Sequence, residues 1–448
     1  MAALAETLQQ RDPSLVLVQA HQRAALELLS RDFYDFSPVL ERQFAQRRAQ
    51  LGVRAGHLDQ VRLVAAACAQ AGIPLTVRGA GTGNYGQCVP LMGGVVLELT
   101  ALNGLRQLDP ASGVIEVEAG ALLSAIDQQL APAGRALRLL PSTYRTATIG
   151  GFLAGGSGGI GSLRWGFLRD AGNLLGVEMV TVEPEPRLLR LDASASAPLN
   201  HAYGTNGIIT ALRMPTTPAV AWQQLVVGFH QWDQALEVAR QLPATAMLFN
   251  SLSLLEAPIA ERLPWPATCP PPAAGEHRLL VVAAPDVMDV LPSWLNARGG
   301  CLHWHGAQGV GRGLPLLELT WNHTTLHWRA QMPDWTYLQM LLPQPEALAL
   351  KALRQRWGND LLWHLEAVRH QGSVRLAALP LLRWQGEQQL QAVMDHAVQL
   401  GAVLFNPHVF TVEDGGLGDI DADQVAAKRA YDPAGLLNPG KLRGWLER

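Results

Sequence analysis

His323 and His327 stand four residues apart in Glu318-Leu319-Thr320-Trp321-Asn322-His323-Thr324-Thr325-Leu326-His327. On a helix that spacing puts both imidazoles on one face, where they could hold a metal ion or a substrate. Thr320, Thr324 and Thr325 argue instead for extended backbone, on which the two histidines still share a face but lie farther apart. The plainer alternative is a pair of hydrogen-bonded histidines in a tryptophan-rich core. His303 and His305 alternate around Trp304, as residues on one strand face do, and read as edge or exposed histidines. Arg369 and Arg375 are candidate carboxylate clamps, with surface salt bridges as their other reading.

The glycines carry a second kind of chemistry. Ile73-Pro74-Leu75-Thr76-Val77 has strand character and leads into Arg78-Gly79-Ala80-Gly81-Thr82-Gly83-Asn84-Tyr85-Gly86. Glycine tolerates positive φ and close approach, so such a loop can aim several backbone N–H groups at a phosphate, with Arg78 adding a fixed positive charge. Gly81 to Gly86 matches G-x-G-x-x-G by spacing, but that pattern counts only where a helix opens directly after it. Pro90, Gly93, Gly94 and a second strand-like run, Val95–Leu99, follow instead. The expectation is a phosphate cradle between two strands, not a Rossmann turn. A second glycine-rich segment runs from Thr148-Ile149-Gly150-Gly151 through Gly155-Gly156-Ser157-Gly158-Gly159.

These loops need a scaffold. The pattern predicts a helix over 57–71, closed by Gly72, strands at 95–99, 114–119 and 177–182, and a helix over 121–131. Gly204-Thr205-Asn206-Gly207-Ile208-Ile209-Thr210 reads as a tight turn into another strand. Residues up to about 51 read as surface-lying helix with no assigned role. Composition changes near Pro215–Pro218, since eleven of the 13 tryptophans fall between Trp222 and Trp384. That cluster is either an aromatic substrate pocket or, by default, the core of a second domain. The expected division is a helical lead-in over 1–40, a domain over 41–218, a second over 219–405 and a C-terminal segment over 406–448.

A net charge of −3 gives no argument for nucleic acid. No apolar run approaches the ~20 residues of a membrane span. The start of the sequence lacks the basic and apolar regions of a secretory signal, and four scattered cysteines read as reduced thiols, so a cytoplasmic location is expected.

In their order, R-G-x-G-T at Arg78–Thr82, T-I-G-G at Thr148–Gly151 and G-T-x-G-I-I-T at Gly204–Thr210 resemble the FAD-binding domain of the vanillyl-alcohol oxidase and p-cresol methylhydroxylase flavoproteins. The closing D-P-x-G-L-L-N-P-G-K at Asp432–Lys441 resembles the glycolate and D-lactate dehydrogenase branch. The resemblance implies an α+β fold: a two-lobed FAD domain, an α+β substrate (cap) domain, and a C-terminal segment returning to the first. It implies that Val77, Arg78, Gly79, Ala80, Gly81, Thr82, Gly83 and Asn84 hold the FAD pyrophosphate. Pro141, Ser142, Thr143, Thr148, Gly150, Gly151 and Gly155 would line the flavin and its ribityl chain, and Ile208 and Ile209 the adenine end. Some relatives attach FAD through a histidine where this chain has Thr82, so FAD is expected to be non-covalent. Lys441 reads either as a contact to flavin or substrate or as a surface lysine.

The implied reaction is oxidation of a small 2-hydroxy acid or related alcohol. A sugar-derived or aromatic alcohol, and a flavin-bearing subunit of an electron-transfer complex, are the alternatives. A separate acceptor, whether oxygen, a quinone or an iron–sulfur protein, would re-oxidise the flavin. Such chemistry needs a base at the substrate hydroxyl and a cation for a carboxylate. His323, His327, His408 and Glu413 are the candidates, the last two because the C-terminal segment returns to the flavin. The H-x-G-D-G-N-x-H motif of the hydroxy-acid enzymes is missing, and Asp414 stands where their E-H-G-I-G has histidine, so no metal is assigned.

Overall fold

The computed structural model describes residues 1–156, 158–308 and 315–447, so Ser157 of the second glycine segment lies outside the described residues. The first sheet runs Val16–Val18, Leu51–Arg54, Val95–Glu98, Leu75–Arg78, with the last three strands mutually parallel. Helix Leu58–Ala71 makes the crossover and ends at Gly72 in the left-handed conformation, φ 62°, as its C-terminal glycine requires. Its Val61, Val64, Ala65 and Cys68 face the sheet, and helix Ala2–Arg11 packs against the same core through Leu4, Ala5 and Leu8.

A second, antiparallel sheet runs Leu105–Asp109, Val114–Glu118, Ile208–Pro218, Gly176–Val180, Leu188–Asp192. Ile115 and Val117 point to its core while Glu116 and Glu118 take Arg106 on the other face. The register slips between Ile209 and Ala211, and Thr210 bonds across to the Glu178 carbonyl at 3.1 Å.

Residues beyond 218 build an eight-stranded sheet whose central strands are Gln223–Phe229, His277–Ala283, Phe249–Leu255 and His364–His370. Strict alternation sorts its side chains. Leu225, Val227 and Phe229 pack beneath helices such as Trp232–Gln241 and Glu387–Gln399, while Val226 faces the opposite core. A three-stranded sheet, Trp335–Tyr337, Leu381–Arg383, Leu361–Leu362, lies on that second core. The tryptophans serve mainly as filling: Trp363, Trp328 and Trp335 are buried, and Trp321 is the one tryptophan of the described residues that reaches the cleft between the lobes.

Two expectations need correction. The first 51 residues are not merely a surface layer, because Val16–Val18 is a sheet strand and Asp32, Phe33 and Phe36 line the cleft. The 320–327 stretch is not extended: Asn322–Arg329 is a helix. Thr320 and Thr324 turn their hydroxyls back to the carbonyls of Leu317 and Leu319, at 2.8 and 2.6 Å, which lets threonines sit at this helix start.

Candidate functional site

A cleft of about 2100 Å³, including space open to solvent, runs between the two glycine segments and up to the second lobe. Its enclosed part is about 310 Å³, within the roughly 300–1,000 Å³ of ordinary ligand pockets. Val77–Asn84, Pro141–Thr143, Thr148, Gly150, Gly151, Gly155 and Ile209 line it, whereas Ile208 lies in the core behind.

Close packing explains the glycines. A Cβ on Gly79 would fall 2.1 Å from Thr148 Oγ1, and one on Gly150 would meet Ala119 Cβ at 2.7 Å. Thr148 caps helix Ile149–Gly155, its hydroxyl accepting from Gly151 N at 3.2 Å. The loop and this helix therefore form two facing walls. The backbone N–H groups of Ala80 to Asn84 donate to no acceptor among the described residues. A row of free amides beside a helix start is a nest for a phosphorylated ligand, and these residues fit a dinucleotide such as FAD.

Arg78 does not face that ligand. Its guanidinium turns inward and donates to the carbonyls of Leu28, Leu29 and Arg31 at 2.9, 2.6 and 3.1 Å, and to Gly79 and Ala80. It ties the N-terminal segment to the loop instead of supplying a free charge. Phe33 N completes the tie to Gly83 O at 2.8 Å. Lys441 is neither exposed nor in the cleft: it is fully buried, donating to Gly86 O and to Gln87 O, the latter at 2.6 Å. Burial pushes its ammonium down and the carboxyl of neighbouring Asp32 up. Asp32 Oδ1 accepts from Tyr34 N at 3.0 Å, while Oδ2 has no hydrogen-bond partner.

The four candidate reacting residues do not converge. His323 lines the cleft and sits 3.5 Å from Glu318, which also pairs with Arg145 at 2.7 Å. His327 shares its helix face, ring centroids 6.4 Å apart, but points to the Glu318 carbonyl at 3.2 Å. His408 is buried between Ser37 Oγ at 2.8 Å and the Tyr337 carbonyl at 2.9 Å, and burial holds its imidazole at about 4. Glu413 accepts from Arg443 N and Gly444 N at 2.9 and 2.8 Å, a cap for the last helix. Arg369 and Arg375 donate to the carbonyls of Leu163, Gly372 and Leu342 and are not on the cleft wall. Among the described residues no group of three or more His, Cys, Asp or Glu side chains is placed to hold a metal.

At the end nearest the second lobe the walls carry residues that sequence reasoning missed. Tyr85 OH donates to Gln339 Oε1 at 2.9 Å, and Gln339 Nε2 reaches Asn322 Oδ1 at 3.3 Å. Trp321 holds φ 51°, fixed by its N–H on Glu366 Oε1 at 2.8 Å. Arg169, His201 and Tyr203 also line the cleft, the Tyr203 ring stacked on that of Tyr85 with centroids 6.5 Å apart. The one textual sign of these was their closeness to Gly204; a positive φ at a histidine or tyrosine leaves no mark in sequence.

Comparison with known proteins agrees with this geometry. Residues 49–191 match a family model described as FAD binding domain. A D-lactate dehydrogenase of Anaerostipes hadrus is 29% identical over 185 residues, 39% of this chain and 38% of that protein. The glycolate oxidase subunit GlcD of Escherichia coli (strain K12) is 28% identical over 217 residues, 47% of this chain and 43% of its own. The matched stretches thus span about two fifths of these two relatives. GlcD of Bacillus subtilis (strain 168) is 21% identical over 426 residues, 86% of this chain and 87% of that one. A solved alkyldihydroxyacetonephosphate synthase shares the fold at TM-score 0.73 and 15% identity, covering 98% of this chain and 85% of that one. Residues 49–191 are thus an FAD-binding domain. Among the described residues no helix is long and apolar enough to cross a membrane.

Proposed function

We propose that this protein is an FAD-dependent oxidoreductase that oxidises a small 2-hydroxy acid or a related alcohol. The observation that carries the reading is the pair of glycine walls, with unpaired amides from Ala80 to Asn84 and, on the same cleft, an arginine, a neutral histidine and a tyrosine. In the bound state FAD supplies the acceptor for the substrate's hydride. The chain's own part is to hold the phosphates on the loop amides, to exclude water between the lobes and to orient the substrate. Burial, reinforced by the charge of Arg169, holds the His201 imidazole at about 4, so at neutral pH it is an uncharged acceptor on the cleft wall. His323, on the facing helix, is the second group able to take a proton there. Thr82 leaves FAD non-covalent at the loop. The relatives named as lactate and glycolate enzymes support the substrate class. That GlcD is a subunit of glycolate oxidase supports a variant in which this chain passes electrons to a partner.

An absorption spectrum of the purified protein, then acid precipitation and anaerobic addition of glycolate, D-lactate and D-2-hydroxyglutarate, tests the proposal. Release of FAD into the supernatant and bleaching by one of the acids is the expected result. A colourless protein that takes up no added FAD would overturn it.

A further inference from the structure

The reading above requires a cation for the substrate's carboxylate, and the sequence candidates for it are consumed by backbone carbonyls. Two arginines line the cleft among the described residues, Arg78 and the exposed Arg169. Arg78 is saturated by five carbonyls, as described. Arg169 has neither a hydrogen bond nor an ion pair among the described residues, and its neighbour Asp170 is already used, accepting from Phe167 N at 2.8 Å. The one carboxylate on the cleft wall, Asp32, lies at the phosphate loop.

Beside Arg169 stands a buried donor with nothing to donate to. Tyr203, a residue of the cleft wall, is 2% exposed, and its buried hydroxyl has no hydrogen-bond partner among the described residues. A buried hydroxyl without a partner is destabilising, and a ligand that accepted from it would relieve that cost. Gly415 packs directly against it: a Cβ there would lie 2.9 Å from that oxygen. Burial, and the neighbouring Tyr85, raise the phenol well above its usual range, so it stays a donor.

The backbone that presents this tyrosine is under strain. His201 and Tyr203 hold φ of 54° and 52°, a conformation that L-residues with large side chains rarely adopt. Two bonds hold it there, His201 N to Leu153 O at 2.9 Å and Tyr203 N to Ala154 O at 2.8 Å. Both carbonyls belong to the helix that carries Gly150 and Gly151, so the strained turn is fixed relative to the cofactor wall.

We propose that Arg169 and Tyr203 are the anchor for the carboxylate of the substrate, the guanidinium fork taking both oxygens and the phenol donating a further hydrogen bond. The proposal rests on the hydroxy-acid reading and supplies the residues that select its anionic members over uncharged alcohols. His201, uncharged beside them, brings no competing charge.

The test uses FAD-loaded wild type and the variants Arg169→Met, Arg169→Lys and Tyr203→Phe, assayed with the hydroxy acid that bleaches the wild type and with propane-1,2-diol. Loss of a charge-assisted pair raises KM for the acid roughly 30-fold in Arg169→Met, with kcat changed far less, and about 5-fold in Tyr203→Phe. Arg169→Lys recovers part of the loss, KM for the diol stays at its wild-type value, and flavin content is unchanged in all three. Equal KM for the acid in wild type and Arg169→Met overturns the anchor while leaving the hydroxy-acid reading intact. Loss of FAD from Arg169→Met overturns it too, by making Arg169 a cofactor contact. A wild type bleached only by uncharged alcohols removes the substrate class and the anchor together.

Discussion

Gly81 shows how little room a single loop position leaves. Its φ is +72°, and a Cβ there would fall 1.9 Å from Arg78 Nη2. Gly81→Val therefore strains the backbone by about 1–2 kcal/mol and displaces the guanidinium that ties down residues 28–31. The expected outcome is a protein purified without flavin, read from the ratio of visible to ultraviolet absorbance; full flavin content would refute the loop assignment. Arg78→Met leaves carbonyls of Leu28, Leu29 and Arg31 without their donor. It should cost about 3 kcal/mol or more, seen as a lower urea midpoint even for the flavin-free protein. His408 gives a pH signature. Folded, it titrates at about 4, below the ~6.5 of an unfolded histidine, so the unfolded chain binds the extra proton. Its contribution is complete above about pH 6.5 and is lost as pH falls toward 4, about 2 kcal/mol of it by pH 5. Asp127, raised by burial to about 6, acts in the opposite direction, so the slope of stability against pH is compared with that of His408→Gln. A variant with the wild-type slope would show that His408 does not titrate in this way.

Among the elements, the two glycine walls were legible because their glycines are demanded by backbone geometry, which sequence records directly. Helix 58–71 was legible from its apolar period and its closing glycine. The helix Asn322–Arg329 was not, since the β propensity of its threonines is overridden where the hydroxyls of Thr320 and Thr324 bond to local carbonyls. Nor was the inward turn of Arg78, which depends on a segment some fifty residues earlier meeting the loop. Thr148 was named for its motif, and its physical role is now specific: it caps the short helix and fills the space that Gly79 leaves. Thr148→Ala should lower stability by about 1 kcal/mol, and Thr148→Ser should restore it. If alanine and serine behave alike in urea unfolding, the cap contributes nothing.

In the whole molecule, the fold class followed from three motifs in sequence order. The residues proposed for the substrate end did not, because they come from 169, 201, 203 and 322–339, in segments with no shared pattern. The lobes are joined by Asn84 Nδ2 to Tyr337 OH at 2.7 Å and by Tyr85 to Gln339, so the phosphate loop is also the joint. The C-terminal stretch closes the first sheet: Leu75 N bonds Leu436 O at 2.9 Å and Asn438 N bonds Leu75 O at 2.7 Å. Deleting residues 432–448 should abolish both flavin binding and a cooperative unfolding transition. A truncated protein that keeps its colour would show that the tail is dispensable.

Lys441 has a consequence for the order of events during synthesis. The carbonyls of Gly86 and Gln87 are satisfied by an ammonium group made some 350 residues later. A nascent chain that has already extruded its glycine loop therefore carries it incomplete, held from one side by residues 28–33 and open on the other. If the glycine loop holds the cofactor as proposed, capture belongs to the end of translation, and a ribosome stalled within the second lobe should present a loop that does not retain flavin.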